Sequence, residues 1–532
     1  MKSKSYNKIA FGVILLLQIV CMIYFGNAKQ GYFVDELWSY GLANSYYHPH
    51  VYSDDALEER WVSGEYFRDY LEVLPEQRFR YGSVVYNQTQ DYHPPLFYMV
   101  LHTISSLFPN TFSKWYGIIP NIVYFAVSMY LLFALARRIF KSEWLALIPV
   151  IAYGFSAGAI SNVIYIRMYV LLTVWVLTLF NLHVKWITED KIQSRDWLIL
   201  ILIAYLGYMS HYYFFVIAFF TAAFYFFYLL WTGKRKTLIK YCVTMFISLL
   251  LVALTFPVAY IKLFFGQRGN EAVHNLFNLS DILGNAKRYW TIIGEQLFAN
   301  SQNILGIVIM VCGLCTIISW LRKRTGNGQT FRMALEKIDE TLKREISAVG
   351  CVLFVSVSYF VIILKIAPYQ VDRYVFGIYP ELTLLMFYFV FKIVNYWGSK
   401  NTAFATALIM AAVFSIFGVS GKHIQYLYKN YVNNVNIMKE HVGEDCLYIT
   451  WDYYKLVGNA LELENMGRVF TEVPDRIEAL AGKLDSDKKN LIVYVDESFD
   501  QEEILNRVGN AAGYRAWRPL FESRCKAYEL TR

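Results

Sequence analysis

Long apolar runs, each close to the length that crosses a lipid bilayer, recur along this sequence. A helix crosses the hydrocarbon core with about 20 predominantly apolar residues. About eleven runs qualify: residues 9–25, 117–136, 144–160, 168–184, 197–210, 212–231, 239–261, 303–321, 347–366, 377–396 and 403–420. Only 17% of the 532 residues are charged, against roughly 25% in soluble proteins. The sequence therefore predicts a polytopic α-helical membrane protein with about 11 transmembrane helices. Disordered, fibrous and ordinary cytosolic proteins are excluded.

Basic residues predict the orientation of these spans. Lysines precede the first run and no small-residue cleavage site follows it, so we expect an uncleaved first span with its N-terminus in the cytoplasm. The apolar segment 93–108 is short and contains His102. If this segment does not cross, four basic loops face the cytoplasm, as the positive-inside rule requires: residues 137–141, 185–195, 234–240 and 322–324. We therefore expect 93–108 to form an interfacial or re-entrant helix on the outer face.

This orientation places two long polar segments outside the cytoplasm. They are the loop 26–116 and the tail after residue 421. The net charge of +8 is then explained by basic residues in cytoplasmic loops, and no nucleic acid partner is predicted. We expect a membrane domain over residues 1–420, including the outer loop, and an extracytoplasmic domain over residues 421–532.

The tail alternates strand-like and helix-like segments. Strands are predicted over 446–451, 468–471 and 490–495, and helices near 453–464, 474–483 and 501–508. This alternation is typical of a small α/β domain. The tail contains no Gly-rich phosphate loop and no nucleophile elbow, so we assign it no chemistry. A disulfide between Cys446 and Cys525 is left open.

Two pairs of polar residues in the outer loop could carry chemistry. Asp35 and Glu36 lie among aromatic residues shortly after the first span. Carboxylates there are either solvated loop acids or a general base or metal ligand. Asp91 and His93 lie in the segment D-Y-H-P-P-L. The two prolines favour a helix start, so His93 is either an exposed turn residue or lies before a helix N-terminus, where a phosphate binds well.

Further polar residues fall at predicted outer ends of later spans. Arg167 and Tyr169 open the fourth span, His211 opens the sixth, and Arg373 and Tyr374 precede the tenth. A single Arg at a span end is commonly explained by contact with lipid headgroups. Their predicted position on one face, together with Asp35 and His93, favours instead a shared site for an anionic, lipid-linked substrate.

These motifs resemble those of the GT-C superfamily of membrane glycosyltransferases. The order is a DE pair after the first span, D-x-H-P-P-L-x-Y, R-x-Y at the fourth span, and R-Y followed by a proline near the tenth. The strongest resemblance is to glycosyltransferase family 39, which includes protein O-mannosyltransferases and lipid A aminoarabinose transferases. It extends over residues 9–396, and the tail is similar in architecture to the extracytoplasmic domain of many bacterial members.

The resemblance implies roles for individual residues. Asp35 matches the catalytic base, and Glu36 matches the second acid of the DE pair. His93 occupies a position that lies near the donor phosphate in related enzymes. Arg167 matches the arginine of the R-x-Y motif. Tyr169 completes that motif, and the sequence lacks the following aspartate that several branches carry.

The remaining implied roles concern phosphate and metal. Arg373 and Tyr374 match a late segment that contacts phosphate, and His211 lies where some relatives have other polar residues. A divalent metal is allowed and not required; the candidate ligands are Asp35, Asp91 and His93.

The resemblance implies transfer of a monosaccharide from a polyprenyl-phosphate donor, with inversion at the anomeric carbon. Asp35 would accept a proton from the acceptor, which could be a protein, a lipid or an envelope glycan. The implied location is a bacterial plasma membrane, with the active face and the tail outside the cytoplasm. Two alternatives remain open at this point: a transporter or flippase of lipid-linked glycans, and a non-catalytic membrane assembly factor.

Overall fold

The computed structural model describes residues 2–51, 60–278, 282–325, 339–484 and 488–532. The chain divides into two compact units. One comprises Met1–Gly26, Tyr92–Leu96 and Ile118–Gln425, and is called the span unit here. The other comprises Asn27–Asp91, Phe97–Gly117 and Tyr426–Arg532, and is called the sheet unit.

Nine helices among the described residues are long and apolar enough to cross a membrane. They are Tyr6–Ala28, Trp115–Phe140, Tyr169–Glu189, Tyr213–Trp231, Arg235–Thr255, Gln302–Arg322, Glu340–Ile366, Phe376–Trp397 and Lys400–Val419. Tyr169–Glu189 has 78% of its most apolar window buried, whereas Gln302–Arg322 has 0%. Apolar side chains exposed along such helices need an apolar surrounding. The chain is therefore an integral membrane protein, as the sequence predicts.

Two predicted spans have a different form in the structure. The run 144–160 becomes two helices, Glu143–Gly154 and Ala157–Ile164, which are bent by 60° and could form a tenth span. Ser156 caps the second helix, because its hydroxyl accepts a hydrogen bond from the Ala159 N–H at 3.1 Å. The run 197–210 becomes Ser194–Tyr208, which has 15 residues. At 1.5 Å per residue it is about 22 Å long, shorter than the roughly 30 Å hydrocarbon core.

The segment 93–108 forms the helix Leu96–Leu107, which has 12 residues. At about 18 Å it is too short to cross a bilayer, consistent with the prediction that it does not span. The Leu96 N–H donates to the Met209 carbonyl at 3.1 Å, so the start of this helix is tied to the segment before His211. Its interfacial or re-entrant placement stays a prediction.

Shorter helices complete the chain. The α-helices outside the spans are Val34–Asn44, Glu65–Leu71, Tyr81–Gln90, Val258–Phe265, Gln267–Phe277, Ile282–Leu297, Tyr431–Glu440, Tyr454–Gly458, Ala460–Leu463 and Gln501–Ala512. The 3-10 helices are Pro75–Gln77, Asp372–Tyr374, Phe376–Ile378 and Pro474–Leu480.

The sheet unit contains a six-stranded mixed sheet. Its strands are β1 (Trp61–Ser63), β2 (Asp445–Ile449), β3 (Arg468–Glu472), β4 (Asn490–Asp496), β5 (Ala516–Glu522) and β6 (Cys525–Thr531). The spatial order is β1-β3-β2-β4-β6-β5. Strand β2 is parallel to β3 and β4, and the other pairs are antiparallel. The predicted small α/β domain is present, and β1, from the segment between the first two spans, joins its edge.

The two faces of this sheet are packed differently. One face carries an apolar core with Leu447, Val493 and Leu530, which the helix Gln501–Ala512 covers through Ile504 and Leu505. On the other face Tyr448 and Tyr494 stack with ring centroids 5.3 Å apart.

Cys446 and Cys525 are free thiols. Cys446 pairs with Ile492 on β4, whereas Cys525 pairs with Asp496 on the opposite side of the same strand. Since β4 lies between them, the disulfide left open by the sequence does not form.

Glu462 is a buried acid on the side of the sheet where Tyr448 and Tyr494 stack. Its carboxylate accepts hydrogen bonds from Asn459 and, at 3.4 Å, from the Tyr494 hydroxyl. Burial raises the pKa of Glu462 to about 8. An acid whose pKa is raised on folding destabilises the fold as pH rises from its unfolded pKa to its folded pKa.

We therefore expect Glu462→Gln to change the pH dependence of thermal unfolding. The wild-type Tm should fall between about pH 5 and pH 8, whereas the Tm of the glutamine variant should fall clearly less over this range. At the alkaline end the variant should unfold several degrees higher. Thermal unfolding of the full chain in detergent measures this, with the exposed Glu502→Gln as the control. Parallel curves for variant and wild type would contradict the prediction.

Candidate functional site

Arg167 and His93 form the centre of a polar cluster in the span unit. Arg167 follows the bent helix pair and lies just before the span Tyr169–Glu189, and it is only 4% exposed. Its terminal nitrogen Nη2 lies 3.1 Å from Nε2 of His93. A guanidinium only donates hydrogen bonds, so Nε2 of His93 accepts here. Pro94 and Pro95 then lead directly into the helix at Leu96, as the sequence predicts.

His211 is the second histidine of this cluster. Its ring centroid lies 5.8 Å from that of His93 and 5.2 Å from that of Tyr169. The Tyr213 N–H donates to Nδ1 of His211 at 3.0 Å, which leaves Nε2 as the protonated nitrogen of the neutral ring. Burial lowers the pKa of His211 well below its usual range, and His93 and Arg167 lower it further. His211 is therefore a neutral donor beside a fixed cation.

Aromatic side chains connect this cluster to Tyr374. Tyr213 contacts His211 at 4.8 Å and Tyr374 at 5.5 Å between ring centroids. The Tyr359 hydroxyl donates to the Tyr374 carbonyl at 2.6 Å, which holds the short 3-10 helix Asp372–Tyr374 against the span Glu340–Ile366. The Arg373 guanidinium lies 5.3 Å from the ring of Tyr374. The structure thus joins His93, His211 and Tyr374 through one row of rings.

One cation near this cluster, Lys262, was not predicted from the sequence. Lys262 follows the span Arg235–Thr255, and its ammonium lies 5.2 Å from the ring centroid of Tyr92, the neighbour of His93. In the sequence it looks like any basic residue after an apolar run, so only the contact with Tyr92 marks it.

Asp35 and Glu36 belong to the sheet unit, in the first turn of the helix Val34–Asn44. This position favours carboxylates, because the free N–H groups of a helix start carry partial positive charge. Glu36 caps the helix: its Oε2 accepts from the Phe33 N–H at 2.6 Å. Asp35 is half-buried, and its carbonyl accepts from the Ser39 hydroxyl at 2.8 Å.

Glu36 is also one half of a buried ion pair. Lys29 Nζ lies 3.0 Å from Glu36 Oε2, and both side chains are 0% exposed. The same ammonium donates to the Tyr426 carbonyl at 2.8 Å. Sequence reasoning did not select Lys29, because a lysine directly after a span looks like an ordinary membrane flank. Through these contacts Glu36 fixes the first turn of the helix, which contains Asp35.

Asp91 also lies in the sheet unit, where it ends the helix Tyr81–Gln90 and is 9% exposed. Its predicted role as a metal ligand, with Asp35 and His93, stays a prediction. The group of three metal-ligand atoms found among the described residues lies elsewhere, in the C-terminal part of the sheet unit.

Comparisons with known proteins relate this fold to membrane enzymes. Residues 92–261, which contain His93, Arg167 and His211, match the model of the family described as dolichyl-phosphate-mannose-protein mannosyltransferase. No curated protein matches the sequence.

Several solved structures are similar to nearly the whole chain. One is ArnT from Cupriavidus metallidurans bound to undecaprenyl phosphate, with 10% identity and a TM-score of 0.52, covering 97% of this chain and 97% of that one. Another is the archaeal oligosaccharyltransferase AglB from Archaeoglobus fulgidus with an inhibitory peptide and a dolichol-phosphate, with 13% identity and a TM-score of 0.50, covering 97% and 73%. The likeness is one of fold, and it confirms the predicted fold class.

Proposed function

We propose that this chain is a membrane glycosyltransferase of the GT-C superfamily, which transfers a monosaccharide from a polyprenyl-phosphate donor to an extracytoplasmic acceptor. Two proteins of similar fold were solved with undecaprenyl phosphate and with a dolichol-phosphate. Both ligands are lipid phosphates, which supports a lipid-linked donor for this chain.

The observation that carries this proposal is the Arg167–His93–His211 cluster. It combines a buried guanidinium with two imidazoles whose ring centroids lie 5.8 Å apart. When the glycosidic bond to phosphate breaks, negative charge grows on the departing phosphate oxygen. Fixed hydrogen-bond donors in a buried site stabilise such charge far better than water does. The planar guanidinium of an arginine can donate two parallel hydrogen bonds to phosphate oxygens. Arg167 and Arg373 are the proposed phosphate ligands, and the histidines are proposed as further donors.

Asp35 is the proposed general base. It would take the proton of the acceptor hydroxyl or amine as that group attacks the anomeric carbon, and the lipid phosphate would leave from the opposite face with inversion. General base catalysis contributes about 10²–10⁴-fold to such a step. Glu36 is proposed to position Asp35, since its own carboxylate is occupied by Lys29 and the Phe33 N–H.

An assay with purified protein tests the function directly. The protein is reconstituted in vesicles with a radiolabelled polyprenyl-phosphate sugar, and label is followed both into acceptors and across the membrane. A transferase moves label into an acceptor and releases polyprenyl phosphate. Movement of intact donor across the vesicle without any transfer would contradict the proposal and favour a flippase.

Arg373→Ala tests the phosphate role of the late segment. Hydrogen bonds to charged groups contribute about 1.5–3 kcal/mol, so we expect KM for the donor to rise roughly 10- to 100-fold. Arg373→Lys should recover part of this loss, because lysine keeps the positive charge but cannot form the two parallel hydrogen bonds of a guanidinium. Arg235→Ala, at an exposed position at the start of a span, is the matched control. An unchanged donor KM in the Arg373→Ala variant would argue against phosphate contact.

A further inference from the structure

A tight turn in the sheet unit brings a histidine and a glutamate together. The helix Tyr431–Glu440 ends just before His441, and β2 begins at Asp445. Gly443 between them has a φ of +81°, a left-handed conformation that glycine adopts without strain. The chain therefore reverses, and Glu444 Oε2 lies 3.0 Å from Nδ1 of His441.

A second glutamate reaches the same place from another strand. Glu529 on β6 pairs with Ile492 on β4, which pairs with Cys446 on β2. Directly paired residues point to the same face of a sheet, and Glu444 lies two residues before Cys446. Glu444 and Glu529 therefore extend from the same face, and His441 lies at the end of the helix that precedes β2.

The three side chains have the geometry of a metal-binding set. One ligand atom from each of His441, Glu444 and Glu529 lies within 4.8 Å of the other two. A single point can then lie within about 2.8 Å of all three, and small side-chain rotations bring it to the roughly 2.0–2.2 Å typical of zinc–nitrogen and zinc–oxygen bonds. His441 is 7% and Glu529 6% exposed, so the set is enclosed on two sides.

The electrostatics of the set favour a cation. Two carboxylates and a helix C-terminus, which carries partial negative charge, surround a single imidazole. The guanidinium of Arg518 contacts Glu529 Oε2, but this arginine is 67% exposed at its side chain. Glu529 can keep that bond and coordinate through its other oxygen. A buried carboxylate paired with an exposed arginine is costly, and a divalent cation would compensate it more fully.

We propose that His441, Glu444 and Glu529 bind a divalent transition metal ion of the zinc class in the sheet unit. One imidazole and two carboxylates are ligands that Zn²⁺ and its neighbours accept, and the half-exposed side of Glu444 leaves a position for water. The ion would tie the turn before β2 to β6. None of the three ligands is a proposed transferase residue, and the site does not depend on that function.

The test uses the full chain, purified in detergent and stripped with a chelator. Co²⁺ is the probe, because its visible absorption reports nitrogen and oxygen ligands, and Zn²⁺ competition is followed in the same samples. We expect one saturable Co²⁺ signal that Zn²⁺ displaces, and a Tm raised by several degrees when Zn²⁺ is in about 100-fold excess over its Kd. Glu444→Gln, at the least buried ligand, should weaken Co²⁺ binding roughly 10- to 100-fold with unchanged circular dichroism.

Controls separate this site from other outcomes. His441→Gln with Glu529→Gln should abolish the signal, whereas Glu522→Gln on the neighbouring strand, 75% exposed at its side chain, should keep it. His93→Ala should also keep the signal, because that residue belongs to the span unit. Absence of a saturable signal in the wild type, or a signal lost with His93 and kept without His441, would overturn the proposal.

Discussion

Asp35→Asn is expected to lower the rate of sugar transfer by about 10²–10⁴-fold with little change in donor binding. The amide has the same shape as the carboxylate but cannot accept a proton at neutral pH, so only the proton transfer step is lost. The helix start should survive, because the capping bond comes from Glu36 to the Phe33 N–H. Single-turnover kinetics with a labelled polyprenyl-phosphate sugar measure the rate, and equilibrium binding of the same donor measures affinity.

Two further variants sharpen this test. Glu65→Gln removes an acid that is 69% exposed at its side chain, in the same segment between the first two spans, and should leave the rate unchanged. Asp35→Glu keeps a carboxylate but displaces it by one methylene, so the rate should fall less than with asparagine. Near-normal turnover of the Asp35→Asn variant would refute the base assignment. A loss of donor affinity with an unchanged chemical step would point to a binding role instead.

Apolar runs in the sequence predicted most of the membrane-spanning part, because each span is marked by its own run of apolar residues. Hydrophobic runs and their basic flanks are local, so all the predicted runs appear as helices near their expected positions. Differences arise where local signals are weak. The run 144–160 contains Pro149, Ser156 and small residues, and the structure bends there by 60°. The run 197–210 directly follows the charged residues Arg195 and Asp196, and its helix has only 15 residues.

The sheet was harder to predict because its pairings are distant in the chain. Strand β1 has three residues and pairs with β3, which lies about 400 residues later and so carries a large loop-closure cost. No local pattern of three residues predicts such a partner. Strand β5 contains Pro519 and has a register shift next to it, which hides its strand pattern and places it at the edge of the sheet.

The candidate site shows the same division between local and distant information. His93, Arg167 and His211 were selected by their motifs and by their predicted position on one face, and the structure brings them into contact. Lys29 was not predicted from the sequence, because only the folded structure shows that it forms an ion pair with Glu36. Glu36 was selected for catalysis, but its buried contacts indicate a positioning role, and this difference has testable consequences.

Lys29→Met is expected to have a large effect on the sheet unit and on transfer. The ammonium is 0% exposed and bonds both Glu36, at 3.0 Å, and the Tyr426 carbonyl, at 2.8 Å. It also lies 5.6 and 5.5 Å from the ring centroids of Tyr32 and Tyr428. Removing one partner of a buried ion pair costs about 3–5 kcal/mol, because the other charge stays buried without compensation.

Glu36 would then have to be protonated or partly solvated, and either change loosens the first turn that carries Asp35. We expect a clearly lower Tm and at least about a tenfold lower transfer rate, with both deficits smaller near pH 5, where Glu36 can take up a proton.

Lys29→Met combined with Glu36→Gln removes both charges and keeps the oxygen that caps the helix, so it should recover much of the lost stability. The exposed Lys429→Met is the matched control. If the single and double variants lose the same stability and rate at every pH, Lys29 acts through its bond to the Tyr426 carbonyl, and the ion pair does not position Asp35.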